Sequence, residues 1–230
     1  MSWVTDEFSR PVSYKSMNTS TMRKDSPMGT PSAQLTSETR TERERLASLF
    51  GDLTPEQWAM PSLCDGWQVR EVVAHMTMPF RTKPIEVMAG VVRARFSFNR
   101  YADRDARSAA HAMSEAELVD LLRRNIDHPW QPPGGGEAGA LSHDVIHGLD
   151  VTELLGLPSA PADRVALVLA STNPRQMKYF GVDLDGRKLA AIDTDVSVGE
   201  GSTVVTMTAK EILLVVTGRR PLNEVPGASR

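Results

Sequence analysis

The sequence has 230 residues, 40% of them hydrophobic, and a formal net charge of −3, enough apolar chain for one sizeable folded domain without disulfide staples. The near-balanced charge excludes the strongly basic class that binds nucleic acid and the highly charged class that stays unfolded. The longest apolar runs, over 165–170 and 212–216, fall far short of the ~20 residues of a membrane span, and residues 1–30 lack the apolar block of about 7–15 residues found in a secretory signal, so no nucleic-acid or membrane partner is expected and the location is expected to be cytoplasmic.

Residues 1–33 mix Ser, Thr, Pro, Met and scattered charge without periodicity. That leaves too little apolar surface to offset ordering entropy, and a disordered tail is expected. Helical patterning begins near Leu35, with Leu46, Leu49 and Phe50 among charges, a capping box over Thr41 and Glu44, and Gly51 as the stop. Thr54, Pro55 and Gln57 give N-cap, N1 and N3 signals for a short helical turn carrying Trp58. The next helix starts near Trp67, repeats Val69, Val72, Val73 and Met76 at i, i+3, i+4 and i+7, and must finish before Pro79; His75 lies within it. A third is expected over 84–106, with Ile85, Met88, Val92 and Phe96 as its apolar stripe. Ser114 and Glu117 then cap a shorter helix through Leu118, Leu121, Leu122 and Ile126.

The Pro- and Gly-rich stretch 128–139 reads as a loop that delivers a helix over 140–155, closed by Gly156. A helix over 163–172 is interrupted by Asn173 and Pro174. Residues 189–192 and 203–207 are short β-favouring segments separated by Gly199 and Gly201, a pattern that predicts a hairpin. A last helix runs over 209–217 and stops at Gly218. The expected division is a tail over 1–33, a helix bundle over 34–181 and a small α/β region over 182–230.

His143 and His147 are four residues apart on one predicted helix, so their rings share a face. Imidazole suits zinc, nickel, copper or iron, and three protein ligands with an open fourth position is the arrangement of catalytic zinc. His75 is the best third ligand, with Glu71 one turn earlier as an acceptor for a ring N–H, and Asp150 placed to do the same for His147. By spacing alone such a pair is more often a solvated face. His111 and His128 read as surface residues, Trp67 as a core anchor, and Cys64 as packing rather than a nucleophile. As the single cysteine it can form no internal disulfide and no cysteine cluster for zinc.

The run PSLCDGWQVREVVAHM over 61–76 resembles the first-ligand motif of the mycothiol-dependent maleylpyruvate isomerase family, whose bundle belongs to the DinB-like superfamily, and maps its histidine ligand onto His75. SHDVIHGLD over 142–150 is similar to the second motif and maps the remaining ligands onto His143 and His147. DTDVSVGEG over 193–201 and LLVVTGR over 213–219 resemble the family's short C-terminal part. The resemblance implies a mainly α fold, a DinB-like up-down-down-up four-helix bundle with a small C-terminal α/β appendage. It further implies a divalent ion, zinc first with nickel or another ion as alternatives, and mycothiol as thiol cosubstrate with a small electrophile as substrate. The isomerase pattern has Glu where this chain has His143, and an all-histidine set is closer to other DinB-like branches, including thiol transferases. The expected activity is therefore a thiol transferase or isomerase acting on a small electrophile. Arg219, within the Thr-Gly-Arg match, is the candidate to hold an anionic group of substrate or thiol. The rival readings are a metal-assisted hydrolase and a non-catalytic metal-binding protein; a monomer or a homodimer is expected.

Overall fold

A computed structural model describes residues 32–225, so the expected tail lies outside the described residues except for Ser32 and Ala33, which are already helical. α1 (Ser32–Gly51) buries Leu46 and Phe50. The box expected at Thr41 is not a helix start; its hydroxyl donates to the Ser37 carbonyl inside α1. Thr54 and Gln57 cap α2 (Pro55–Trp58) reciprocally. Gln68 opens α3 (Val69–Met76), whose Val69, Val72, Val73 and Met76 are all buried. Pro79 sits in the first turn of α4 (Met78–Arg81), where its missing N–H leaves no bond unmade.

The single helix expected over 84–106 is two, α5 (Pro84–Arg93) and α6 (Phe98–Ala112). Between them Arg95 and Phe96 both take left-handed φ, 56° and 60°, which no helix accommodates, and Ser97 then accepts the Arg100 N–H to cap α6. The apolar stripe is not core: Ile85, Met88, Val92 and Phe96 are all exposed. α7 (Glu115–Arg124) follows the Ser114–Glu117 box as expected. α8 (Gly136–Leu155) begins a turn earlier than its apolar pattern and ends at Gly156, φ 64°. After α9 (Ala162–Ala170), Asn173 does not merely interrupt: its side chain accepts the Arg175 and Gln176 N–H groups and starts α10 (Pro174–Tyr179).

β1 (Arg187–Ala191), β2 (Ser197–Val198) and β3 (Thr203–Met207) form one sheet in the order β2-β1-β3. The expected hairpin of 189–192 with 203–207 is not formed, because β1 and β3 run parallel, Leu189 opposite Val205. The chain first turns back as β2, antiparallel to β1 with Val198 opposite Leu189. It then crosses the strand ends at Gly199 (φ 83°) and Gly201, which lies against the Gly186 carbonyl with no room for a Cβ. α11 (Ala209–Val216), capped by Thr208 and Glu211, closes the fold.

The protein is thus mainly α, a helix bundle with a small C-terminal sheet, and it is organised around two cores. One gathers Phe50, Trp58, Val72, Val73 and Leu118 within α1, α2, α3 and α7. The other packs Leu141, Val145 and Leu149 of α8 against α9, α11 and the sheet. α8 serves both, since its Val151 belongs to the first core. α1 and α8 touch closely at Gly148, where a Cβ would come 2.9 Å from the Leu46 side chain. Among the described residues no helix is long and apolar enough to cross a membrane.

Candidate metal centre

His75 sits near the C-terminal end of α3, on the border of its buried stripe, and is only 7% exposed. His143 and His147 stack one turn apart on α8, with ring centroids 4.8 Å from each other and 5.4 and 4.9 Å from that of His75. One nitrogen from each ring falls within 4.8 Å of the others. The three sequence-predicted histidines therefore converge, while His111 is exposed at the end of α6 and His128 uses its Nδ1 to accept the Trp130 N–H.

Each α8 histidine is held by a carboxylate. Asp144 Oδ1 lies 2.9 Å from His143 Nδ1, and Asp150 Oδ2 lies 2.9 Å from His147 Nδ1. Each carboxylate is in turn held by an arginine from a distant part of the chain. Arg43 Nε donates to Asp144 Oδ2 at 2.8 Å, both side chains almost fully buried. Arg219 Nε and Nη2 grip Asp150 Oδ1 and Oδ2 at 2.9 and 3.0 Å, and its Nη1 donates to the Thr217 carbonyl. Carboxylates accept, so both Nδ1 atoms carry the proton and both Nε2 lone pairs are free.

Two ring nitrogens, His75 Nδ1 and His143 Nε2, are buried without a hydrogen-bond partner among the described residues. Leaving such atoms unsatisfied costs about 1–3 kcal/mol each. Burial is the main reason His75 is held well below the usual histidine range, with His147 and His143 beside it adding to the effect. Burial likewise lowers His147, against the pull of Asp150. Three imidazoles that each bring a ring nitrogen within 4.8 Å of the others fit a divalent cation, and three such donors leave room for a further ligand.

Burial alone would raise Asp150, but the His147 hydrogen bond and the Arg219 guanidinium override it and hold the carboxyl well below the usual range. Cys64 shows the reverse. Its Sγ is 3.0 Å from Asp150 Oδ2, and burial followed by that carboxylate's charge pushes the thiol far up, so it remains a protonated donor. Trp67 and Trp130 border the cluster, their rings 5.3 Å from His75 and 5.0 Å from His143; Trp67 is fixed by its Nε1 bond to Asp103.

One expected partner is misplaced: Glu71 does not orient His75, because its carboxylate accepts the Gln68 N–H as half of a capping box. Asp144, Arg43 and Trp130 were not foreseen. Asp144 was findable as a carboxylate directly after His143 on the same helix; for Arg43, 101 residues away from its partner, the sequence carries no signal.

The family model of the mycothiol maleylpyruvate isomerase N-terminal domain matches residues 39–129, a span that contains Arg43 and His75 but ends before His143, His147 and Arg219. Crystal structures of the mycothiol-dependent maleylpyruvate isomerase and of a histidine-to-alanine mutant of it share the fold, with TM-scores of 0.56 and 0.54. They are 13% and 12% identical to this chain, and each match covers 86% of it and 95% of the other protein. No curated protein matches.

Proposed function

We infer that this chain, whose residues 39–129 match the model of the mycothiol maleylpyruvate isomerase N-terminal domain, is a metal-dependent enzyme that uses mycothiol to transfer to, or isomerise, a small electrophile. The observation that carries the reading is the pair of buried, partnerless nitrogens on His75 and His143 beside the third ring of His147. A divalent ion held by these three side chains, zinc or nickel among those that imidazole suits, supplies a Lewis acid that favours thiolate over thiol at an open position.

The chain's own residues prepare that position. Asp144 and Asp150 fix the tautomers of His143 and His147, and burial keeps His75 and His147 neutral so that their lone pairs stay available. Arg219 acts first as a positioning residue, holding Asp150 by two bonds. Of the five N–H donors of a guanidinium, those not given to Asp150 and Thr217 are available to an anionic group of substrate or thiol. Cys64, kept as a thiol, does not compete as nucleophile. Trp67 and Trp130 wall the histidines and limit water. Because Arg219 comes from the region 182–230 and the histidines from 34–181, both regions are needed for activity. A small thiol cosubstrate and a lone free cysteine fit a reducing, cytoplasmic location.

The test is turnover of a panel of electrophiles at matched metal content, with and without mycothiol. Turnover that needs both the thiol and the ion is expected. Turnover undiminished without thiol would assign the site to hydrolysis, and stoichiometric metal without turnover would assign it to binding alone.

A further inference from the structure

α10 is a loosely held helix beside the histidines. None of its residues is buried, and Met177 leans only part-buried on the second core. It has space on two sides. Between it and α8 and α11 lies a cavity of about 30 Å³, which Gln176 and Phe180 share with Ser142, Ile146 and Thr217. Toward the sheet lies an open cleft of about 600 Å³, which Pro174 and Met177 share with Leu184 and Val198. Its ends are defined: the Asn173 side chain caps the start, and Gly181 leaves the last turn at φ 69°. Few buried contacts, with free volume on both sides, are the conditions under which an element opens locally at little cost.

What α10 lies beside is the histidine cluster. Ser142 and Ile146, which face it across the small cavity, directly precede His143 and His147 in α8. Phe180, at the end of α10, stands 5.5 Å from the Arg219 guanidinium, which grips Asp150 beside His147. Its neighbour Tyr179 is 62% exposed and donates its hydroxyl to Asn99 Oδ1 at 3.1 Å. Asn99 lies one turn before Asp103 on the same face of α6, and Asp103 holds the Trp67 ring 5.3 Å from His75. The contacts thus form a closed loop, from His147 by way of Arg219 and α10 to Asn99, and back by way of Asp103 and Trp67 to His75, whose ring is 4.9 Å from that of His147. The hydrogen bonds elsewhere in this loop are part-buried, whereas the one between Tyr179 and Asn99 is exposed. Among the described residues it is also the one side-chain hydrogen bond that ties α10 to another helix. An exposed neutral bond exchanges with water at small cost, which suits a latch.

We propose that α10 is a strap across the approach to the three histidines, latched by Tyr179 to Asn99. It swings out about Asn173 and Gly181 to admit a small molecule, and closes when Phe180 returns to Arg219 and Tyr179 to Asn99. The proposal rests on the functional reading above only for what is admitted, a small thiol and a small electrophile; the strap itself is argued from packing and contacts.

Two measurements on the full chain test this, and neither involves turnover. Hydrogen exchange of the protein as purified reads the opening of residues 174–181 against α9 and α11. Acylation by diethyl pyrocarbonate after incubation with a chelator reads access to His143 and His147, with the exposed His111 as internal reference. Tyr179→Phe keeps the ring and removes the hydroxyl. It is expected to speed both exchange over 174–181 and acylation of His143 and His147 by about threefold, the weight of one exposed neutral hydrogen bond, with α9, α11 and His111 unchanged. Asn99→Asp offers the hydroxyl a charged acceptor and should slow both. Acylation indifferent to the two variants would overturn the proposal. So would exchange that rises equally in α9 and α11 with no slowing by Asn99→Asp. Because neither measurement needs a bound ion or a thiol, failure of the strap and failure of the metal- and thiol-dependent reading are seen separately.

Discussion

Replacing Arg43 by methionine keeps the apolar stem and removes the guanidinium, and three groups lose their donor. Asp144 Oδ2 loses a 2.8 Å bond, and the Ile126 and His128 carbonyls lose the bonds from Nη1 at 3.3 and 2.7 Å. Arg43 and Asp144 are only 3% and 5% exposed, so water does not replace the lost partner. Removing one member of a buried pair costs about 3–5 kcal/mol. For a chain of this length each kcal/mol moves the melting temperature by roughly 2–4 °C, so Arg43→Met is expected to melt about 10 °C below the wild type. Arg40→Met removes the exposed pairs with Glu44 and Asp127, where about 0–1 kcal/mol is at stake, and should shift melting by no more than a few degrees. Adding Asp144→Leu to Arg43→Met removes the stranded carboxylate and should recover much of the stability, because the cost lies in the unpaired charge and not in the missing attraction. Metal affinity should not recover, since His143 then lacks the acceptor that orients it; a deficit of about 10–100-fold is expected by equilibrium dialysis. Equal melting shifts for Arg43→Met and Arg40→Met, or metal affinity that returns with stability, would refute the reasoning.

His75→Ala, His143→Ala and His147→Ala should each sharply lower the bound metal per chain, while His111→Ala and His128→Ala leave it unchanged, as read by elemental analysis. Asp150 has its folded pKa depressed, so its contribution to stability is complete above the unfolded value near ~3.9 and is lost as pH falls through the lower folded value. In metal-free protein, melting scanned from about pH 5 down toward 2 should therefore fall more steeply for the wild type than for Asp150→Asn; equal slopes would contradict this. Cys64 should be alkylated by iodoacetamide at pH 8 at least about tenfold more slowly than a free thiol, because burial and Asp150 keep it protonated. Gly148→Ala should destabilise by about 1–3 kcal/mol as α1 and α8 are forced apart at Leu46, measured by urea unfolding.

The legible parts of this molecule are those written in local chemistry. The boxes read at Thr54 and Ser114 start helices, and the boundary at Gly156 follows from the left-handed cap it adopts. The convergence of the three histidines was legible for the same reason, since His143 and His147 share one helical face and His75 stands in a recognisable motif. What failed is non-local. Apolar periodicity in α5 states that a face is hydrophobic, not what it meets, and here it meets neither core. The break at Arg95 and Phe96 contains no glycine or proline to announce it. The strand segments were identified correctly but paired wrongly, because two residues of β2 inserted at the opposite edge of β1 reverse the direction of β3. Arg219 was singled out, but for a ligand and not for the carboxylate that it grips.

The hold of Arg219 on Asp150 spans 69 residues, which has a consequence for the order in which the protein is made. As the chain leaves the ribosome, His75, His143 and His147 are all exposed before the sheet, α11 and Arg219 exist. During that interval Leu141, Val145 and Leu149 have nothing to pack against, and Asp150 has no cation to hold it ionised in place. Synthesis proceeds at ~5–20 residues per second, so the nascent bundle spends several seconds with its donors present and its clamp absent. On the proposed metal-dependent function, an ion captured in that interval would sit in a looser cage than the finished site, which is complete only once Arg219 grips Asp150.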